Sequence, residues 1–167
     1  MHEILYFRVN YMSEFEKYEL QGAQIMHELD SYNHLSVNEC SKVLGVEPDA
    51  VNCMLRGGVI NNWIIQGLGE RNSRDEVAHR KEIAVSNLLR LAYAVKLKRE
   101  SGGDITKWKG TASEYQLNHV TLSCNIRLEL LESRYWKGVE RRALSLGIVL
   151  SQYPTMNIEY CRYLCDK

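Results

Sequence analysis

Along the chain the apolar positions fall into helical spacing for most of its length, with two shorter extended stretches. Residues 3–9 (EILYFRV) are β-branched and aromatic, either one short strand or the apolar lead-in to a helix. Residues 13–31 read as an amphipathic helix opened by a Ser13/Glu16 capping box, with Phe15, Tyr18, Ala23, Ile25, Met26 and Leu29 on its apolar face. Two short helices follow within 36–57. Residues 59–66 look extended, and Gly67 and Gly69 mark a turn. A second capping box, Ser73/Glu76, predicts a helix from about 74 to 100 with Val77, Ile83, Ala84, Leu88, Leu91, Val95 and Leu97 as its stripe. Ser101-Gly102-Gly103-Asp104 breaks it, and a connector around Trp108 leads to the longest helical pattern, 112–152. There Leu117, Val120, Cys124, Leu128, Leu131, Tyr135 and Val139 recur at three and four, with Gly138 and Gly147 as points of bending or interruption. Pro154 ends it, and a last helix, 156–165, docks by Ile158, Tyr160, Cys161 and Leu164. The break at 101–104 divides the chain into residues 1–100 and a helical oligomerisation or partner-binding region, 105–167.

The segment 36–56 (SVNECSKVLGVEPDAVNCMLR) carries the most specific pattern. Two helices that meet across a tight turn need a residue that tolerates positive φ, and Gly45 supplies it. Close packing four residues earlier needs a small side chain, which Ser41 provides. Val37, Cys40, Leu44, Val46, Val51 and Met54 suit the inner faces, and Pro48 suits the first turn of the second helix. Extended to Ile60, the segment resembles the helix-turn-helix of the excisionase and MerR-like groups, whose pattern is roughly s-x-x-E-x-A-x-x-L-G-V-s-x-x-x-V-x-x-x-x-x-x-G-x-I. In those groups a short hairpin wing and a further helix follow Gly-x-Ile, here Gly58-Val59-Ile60. The resemblance covers residues 35–78. It implies a mostly α fold: a winged helix-turn-helix with a short β-wing, followed by a helical C-terminal part.

It also implies double-stranded DNA as the partner, with the second helix in the major groove. That helix offers Asn52, a donor–acceptor pair for adenine, and Arg56, a fork for guanine. Arg71, Arg74, Arg80 and Lys81 are the candidate phosphate contacts, and Lys96, Lys98 and Arg99 read first as the basic end of a helix. Glu47 and Asp49, at the end meant for base edges, are a departure that phosphates repel. Such a protein is a transcriptional regulator or a phage or plasmid accessory factor (among these the DNA-recognition subunit of a packaging machine), working as a dimer or higher homo-oligomer through its C-terminal helices. The alternative from another class is a protein–protein interaction module, an inhibitor or adaptor, with the helix pair as scaffold.

Composition modifies this picture in two respects. A hydrophobic fraction of 45% and only two prolines in 167 residues belong to a globular chain of long elements. The formal charge is zero, but residues 1–60 carry four basic and nine acidic side chains (net −5), and residues 61–110 carry ten and six (net +4), so a polyanion would meet the middle third. Neither a signal peptide nor a span of about 18 apolar residues is seen, which predicts a cytoplasmic protein with no membrane partner. Five irregularly spaced cysteines read as reduced thiols. Cys161-x-x-x-Cys165 places two of them on one helical face, with no partner Cys or His pair at zinc-finger spacing, so they read as half-buried thiols of a docking helix. No phosphate-cradling glycine loop or nucleophile constellation is present. The expectation is no enzyme, no catalytic residues, no metal and no cofactor.

Overall fold

A computed structural model of the chain describes residues 2–60, 64–71, 77–104 and 122–167. In order these form α1 (His2–Tyr32), β1 (His34–Leu35), α2 (Val37–Leu44), α3 (Pro48–Arg56), β2 (Ile64–Arg71), β3 (Val77–Ala84), α4 (Leu88–Glu100), α5 (Cys124–Glu132), α6 (Arg134–Ser145) and α7 (Ile158–Cys165). The fold is mostly helical with one small antiparallel sheet in the order β1-β3-β2.

Residues 3–9 belong to α1, and Ser13 lies inside that helix, so it caps nothing. The chain is helical on both sides of Ser13, so no helix start falls there. A working capping box opens α2 instead: the Ser36 hydroxyl accepts from the Glu39 amide, and the Glu39 carboxylate accepts from the Ser36 amide. α2 ends in a Schellman turn, with Gly45 at φ 69°, its amide donating to Lys42 and the Val46 amide to Ser41. Pro48 opens α3 at its first position, as expected. The inner-face residues Cys40, Leu44, Val51 and Met54 are fully buried.

Two long helices expected from the periodicity are not continuous. Residues 77–84 form strand β3, not the first part of a helix, and α4 begins only at Leu88 after a 3₁₀ turn (Val85–Asn87). β3 pairs with β2 along one side and, at Ile83 and Ala84, with β1 on the other (Leu35↔Ile83), so cross-strand pairing rather than a helix takes up its backbone hydrogen bonds there. β2 itself runs through Gly67 and Gly69, where a turn was expected, with an irregular register between Gly67 and Arg71. The Ser73/Glu76 capping box lies outside the described residues.

The 112–152 pattern divides as well. Its start, with Leu117 and Val120, and the connector around Trp108 lie outside the described residues. The rest breaks at Ser133, which is extended (ψ 152°), ends α5 and caps α6 by accepting from the Trp136 amide. Gly147, at φ 80°, follows the end of α6, whereas Gly138 stays helical. Pro154 starts a 3₁₀ turn, and α7 docks with Tyr160 and Cys161 buried.

One continuous apolar cluster runs from Leu35 to Cys161 and takes side chains from α2, α3, β3 and α4 as well as α5, α6 and α7. α1 lies across it. Phe15 packs on Tyr160 and Tyr163 at centroid distances of 5.5 and 4.8 Å, and Asp30 receives the Ser86 amide (3.0 Å) and hydroxyl (2.5 Å). Among the described residues no helix is long and apolar enough to cross a membrane.

The cysteines depart from a uniformly reduced set. Cys124 and Cys165 form a disulfide, because the start of α5 meets the end of α7, an adjacency of residues 41 apart that spacing along the chain does not encode. Cys40, Cys53 and Cys161 are free. Cys40 is fully enclosed in α2, and burial pushes its thiol up to about 12. At pH 8 only about 10⁻⁴ of it is thiolate, the reactive form. Iodoacetamide at pH 8 is therefore expected to modify the half-buried Cys53 in the folded chain, and Cys40 only after unfolding in urea. Peptide mass spectrometry that finds both modified at equal rates in the native state would contradict an enclosed Cys40.

Candidate nucleic-acid interface

Spaced at three and four along α3, Asp49, Asn52, Cys53 and Arg56 share one side of the helix, opposite Ala50, Val51, Met54 and Leu55, which are buried. Asp49 and Arg56 are exposed, and Asn52 and Cys53 are half-buried. The Arg56 guanidinium donates through Nη2 to Cys53 Sγ at 3.1 Å, folding its fork back along its own helix. Glu47 and Asp49 are exposed at the N-terminal end of α3, where a carboxylate suits the helix dipole. Glu47 makes no side-chain cap bond.

Beside α3 stands β3. Lys81, expected on a helix, is instead a strand residue paired with Ile65, and its Nζ donates to Asn52 Oδ1 at 2.8 Å. Alternation along the strand puts Lys81 on the same side as Ile83, which is fully buried. Two residues expected to read base and phosphate separately are thus joined in the free protein. A bidentate Asn52–adenine contact also uses Oδ1, whose two lone pairs would then be shared between Lys81 and the base. Arg80 and Arg71 are also strand residues, paired with Gln66 and Val77. Arg74 lies outside the described residues. α3 and the β2–β3 pair therefore stand side by side, bridged by Asn52 and Lys81.

The basic end of α4 is engaged structurally. Lys96 Nζ lies 2.6 Å from Glu100 and 3.8 Å from Glu129. Arg99 Nη2 donates to the Gly45 carbonyl at 2.8 Å. That last contact belongs to a clamp on the α2–α3 turn that the periodicity gave no sign of. The final carbonyls of a helix have no partner within it and carry the negative end of its dipole. In α2 the carbonyls of Ser41 and Lys42 are met by the Schellman turn, that of Val43 by Arg142 Nε (2.9 Å), and that of Leu44 by Tyr135 Oη (2.7 Å). Gly45, the next carbonyl, takes Arg99. The Arg99 guanidinium also lies 5.4 Å from the centre of the Tyr135 ring. Burial raises the Tyr135 phenol well above its ordinary value, so it stays a donor. The one signal in the sequence was Gly138-x-x-x-Arg142. A Cβ on Gly138 would stand 2.9 Å from Arg142 Nη1, so glycine there leaves room for the guanidinium to lie back along α6 toward the turn.

Comparisons with protein-family models, with curated proteins and with solved structures find no match for this chain.

Proposed function

We propose that this chain binds double-stranded DNA through a winged helix-turn-helix, with α2 and α3 as the helix pair, α3 as the recognition helix and the β2–β3 pair as the wing. The observation that carries the reading is the shared surface of α3 and β3, on which Asn52, one turn from the exposed Arg56, meets Lys81. The Gly45 turn and the extended pair directly after the second helix support it, because a wing needs an antiparallel pair at that place. The role that fits is a regulator or a phage or plasmid accessory factor working as a dimer or higher oligomer. Leu144, Leu146 and Val149, exposed at and just beyond the end of α6, offer an apolar contact for a second copy.

The reading is tested by fluorescence anisotropy of random-sequence duplex DNA at low and moderate salt. Binding is expected to weaken steeply with salt, since each neutralised phosphate releases counterions. The Arg56→Glu/Arg71→Glu pair is expected to abolish it at moderate salt, and neutralising Arg71, the phosphate contact, to lower the slope of log affinity against log salt by about one, whereas neutralising Arg56, the base-edge contact, lowers affinity with little change of slope. No binding at low salt would remove DNA as the partner. The exposed Glu47 and Asp49 favour one second reading, a protein-interaction module whose partner presents basic side chains to the start of α3.

A further inference from the structure

Three of the five cysteines converge at one place. Cys124 is the first residue of α5, Cys161 and Cys165 are one turn apart on α7, and the three sulfurs lie within 4.8 Å of one another. We infer that in the reduced chain Cys124, Cys161 and Cys165 form a three-thiolate site for zinc(II).

The geometry fits the ion. Zinc–sulfur bonds of about 2.3 Å in a tetrahedron place neighbouring sulfurs about 3.8 Å apart. Cys124 Sγ and Cys161 Sγ are 3.9 Å apart. The i, i+4 spacing of Cys161 and Cys165 lets a single helix face supply two ligands, and α5 brings the third. Release of the Cys124–Cys165 bond leaves Cα atoms 5.8 Å apart, a separation across which both sulfurs reach a common ion.

The charges fit as well. Cys124 sits in the first turn of a helix capped by Ser123, where the dipole favours thiolate. Three thiolates around a dication leave one net negative charge, which needs an offset in a half-buried place. Arg127, one turn along α5, is 8% exposed, and its Nε has no hydrogen-bond partner among the described residues. It lies near enough to Cys161 for the two to interact electrostatically. A buried guanidinium with an unsatisfied donor is otherwise a cost, and a thiolate–metal centre supplies the anion it lacks. Cys124 and Cys165 are only half-buried, so the fourth position opens to solvent and takes water.

Loading requires that a phosphine and one water reduce the disulfide: the phosphine attacks one sulfur and expels the other, water hydrolyses the phosphonium–sulfur bond, and the oxide takes the water's oxygen while the two sulfurs take its protons. Zinc then displaces one proton from each of the three thiols.

The experiment uses the full chain, reduced with a phosphine, exposed to zinc(II) alone and desalted, with metal counted by mass spectrometry. One zinc per chain is expected, and none on the chain left oxidised. Cobalt(II) in its place should give thiolate-to-metal charge transfer and intense visible bands of a tetrahedral site. Cys161→Ser should weaken retention about tenfold or more, whereas Cys40→Ser/Cys53→Ser leaves one zinc. Cys165→Ser, at a half-buried site near the end of α7, repeats the test should Cys161→Ser not fold. Failure of the reduced wild type to retain zinc or give the cobalt bands, or retention unchanged in both ligand variants, would overturn the assignment and leave a simple disulfide beside a bystander thiol.

Discussion

Replacing Trp136 by alanine is expected to lower the unfolding free energy by about 3–5 kcal/mol. Trp136 heads the fully buried side chains by volume, and it stands one turn into α6, the helix that packs on α2, α4 and α5. Truncation leaves a cavity at the meeting point of those helices, and the surrounding elements are too interlocked to collapse into it. Against a total of about 5–15 kcal/mol for a domain, that is a large share. The measurement is urea unfolding of wild type and Trp136→Ala followed by circular dichroism, with the redox state of the cysteines fixed. A lower midpoint at unchanged slope reports the loss directly. Hydrogen exchange locates it: because α6 holds the carbonyls at the end of α2, the α2 amides should lose protection along with those of α6. A shift below about 1 kcal/mol would mean that α6 does not close the core.

The same junction explains what the sequence disclosed and what it withheld. The helix pair was legible because its requirements are local: a left-handed residue at Gly45, a small one at Ser41, a proline at the start of α3. The final helix was legible for a similar reason, with Pro154 before it and an apolar face within eight residues. Residues 77–84 were not. Val77, Ile83, Ala84 and Leu88 suit a helical stripe, yet Ile83 also suits a strand face, and pairing with β1 and β2 decided the matter. The S-x-x-E signature occurs at Ser13, Ser36 and Ser73, and of the two within the described residues it caps only where the chain enters from an extended segment, at Ser36. Breaks such as Ser133 carry neither glycine nor proline. Least legible were contacts between distant segments: Arg142 on Val43, Lys81 on Asn52 and Cys124 among the thiols of α7. Each joins residues at least 29 apart, and periodicity holds no information about such pairs.

Arg142 and Gly138 should couple so strongly that one substitution changes sign. In the wild-type background Gly138→Ala is expected to destabilise. The new Cβ would stand 2.9 Å from Arg142 Nη1, and the shift this forces on the guanidinium pulls against the bond that its Nε donates to the Val43 carbonyl. Val43 is fully buried, and a charged hydrogen bond lost there is worth about 1.5–3 kcal/mol. Arg142→Ala alone should cost a similar amount for the same reason. In the Arg142→Ala background, however, Gly138→Ala removes nothing further. The three atoms nearest the new Cβ all belong to Arg142, so the space is then open. Alanine in a helix interior is favoured over glycine by about 1 kcal/mol, so the second substitution should now stabilise. Urea unfolding of the four proteins closes the cycle, with an expected interaction energy of about 2–3 kcal/mol. Effects that add within about 0.5 kcal/mol would show that Arg142 does not hold the α2–α3 turn through the space Gly138 leaves. A reversal of sign would make the clamp the element that fixes the helix pair to the C-terminal helices. Any partner that moves α6 would then also move the turn in front of α3.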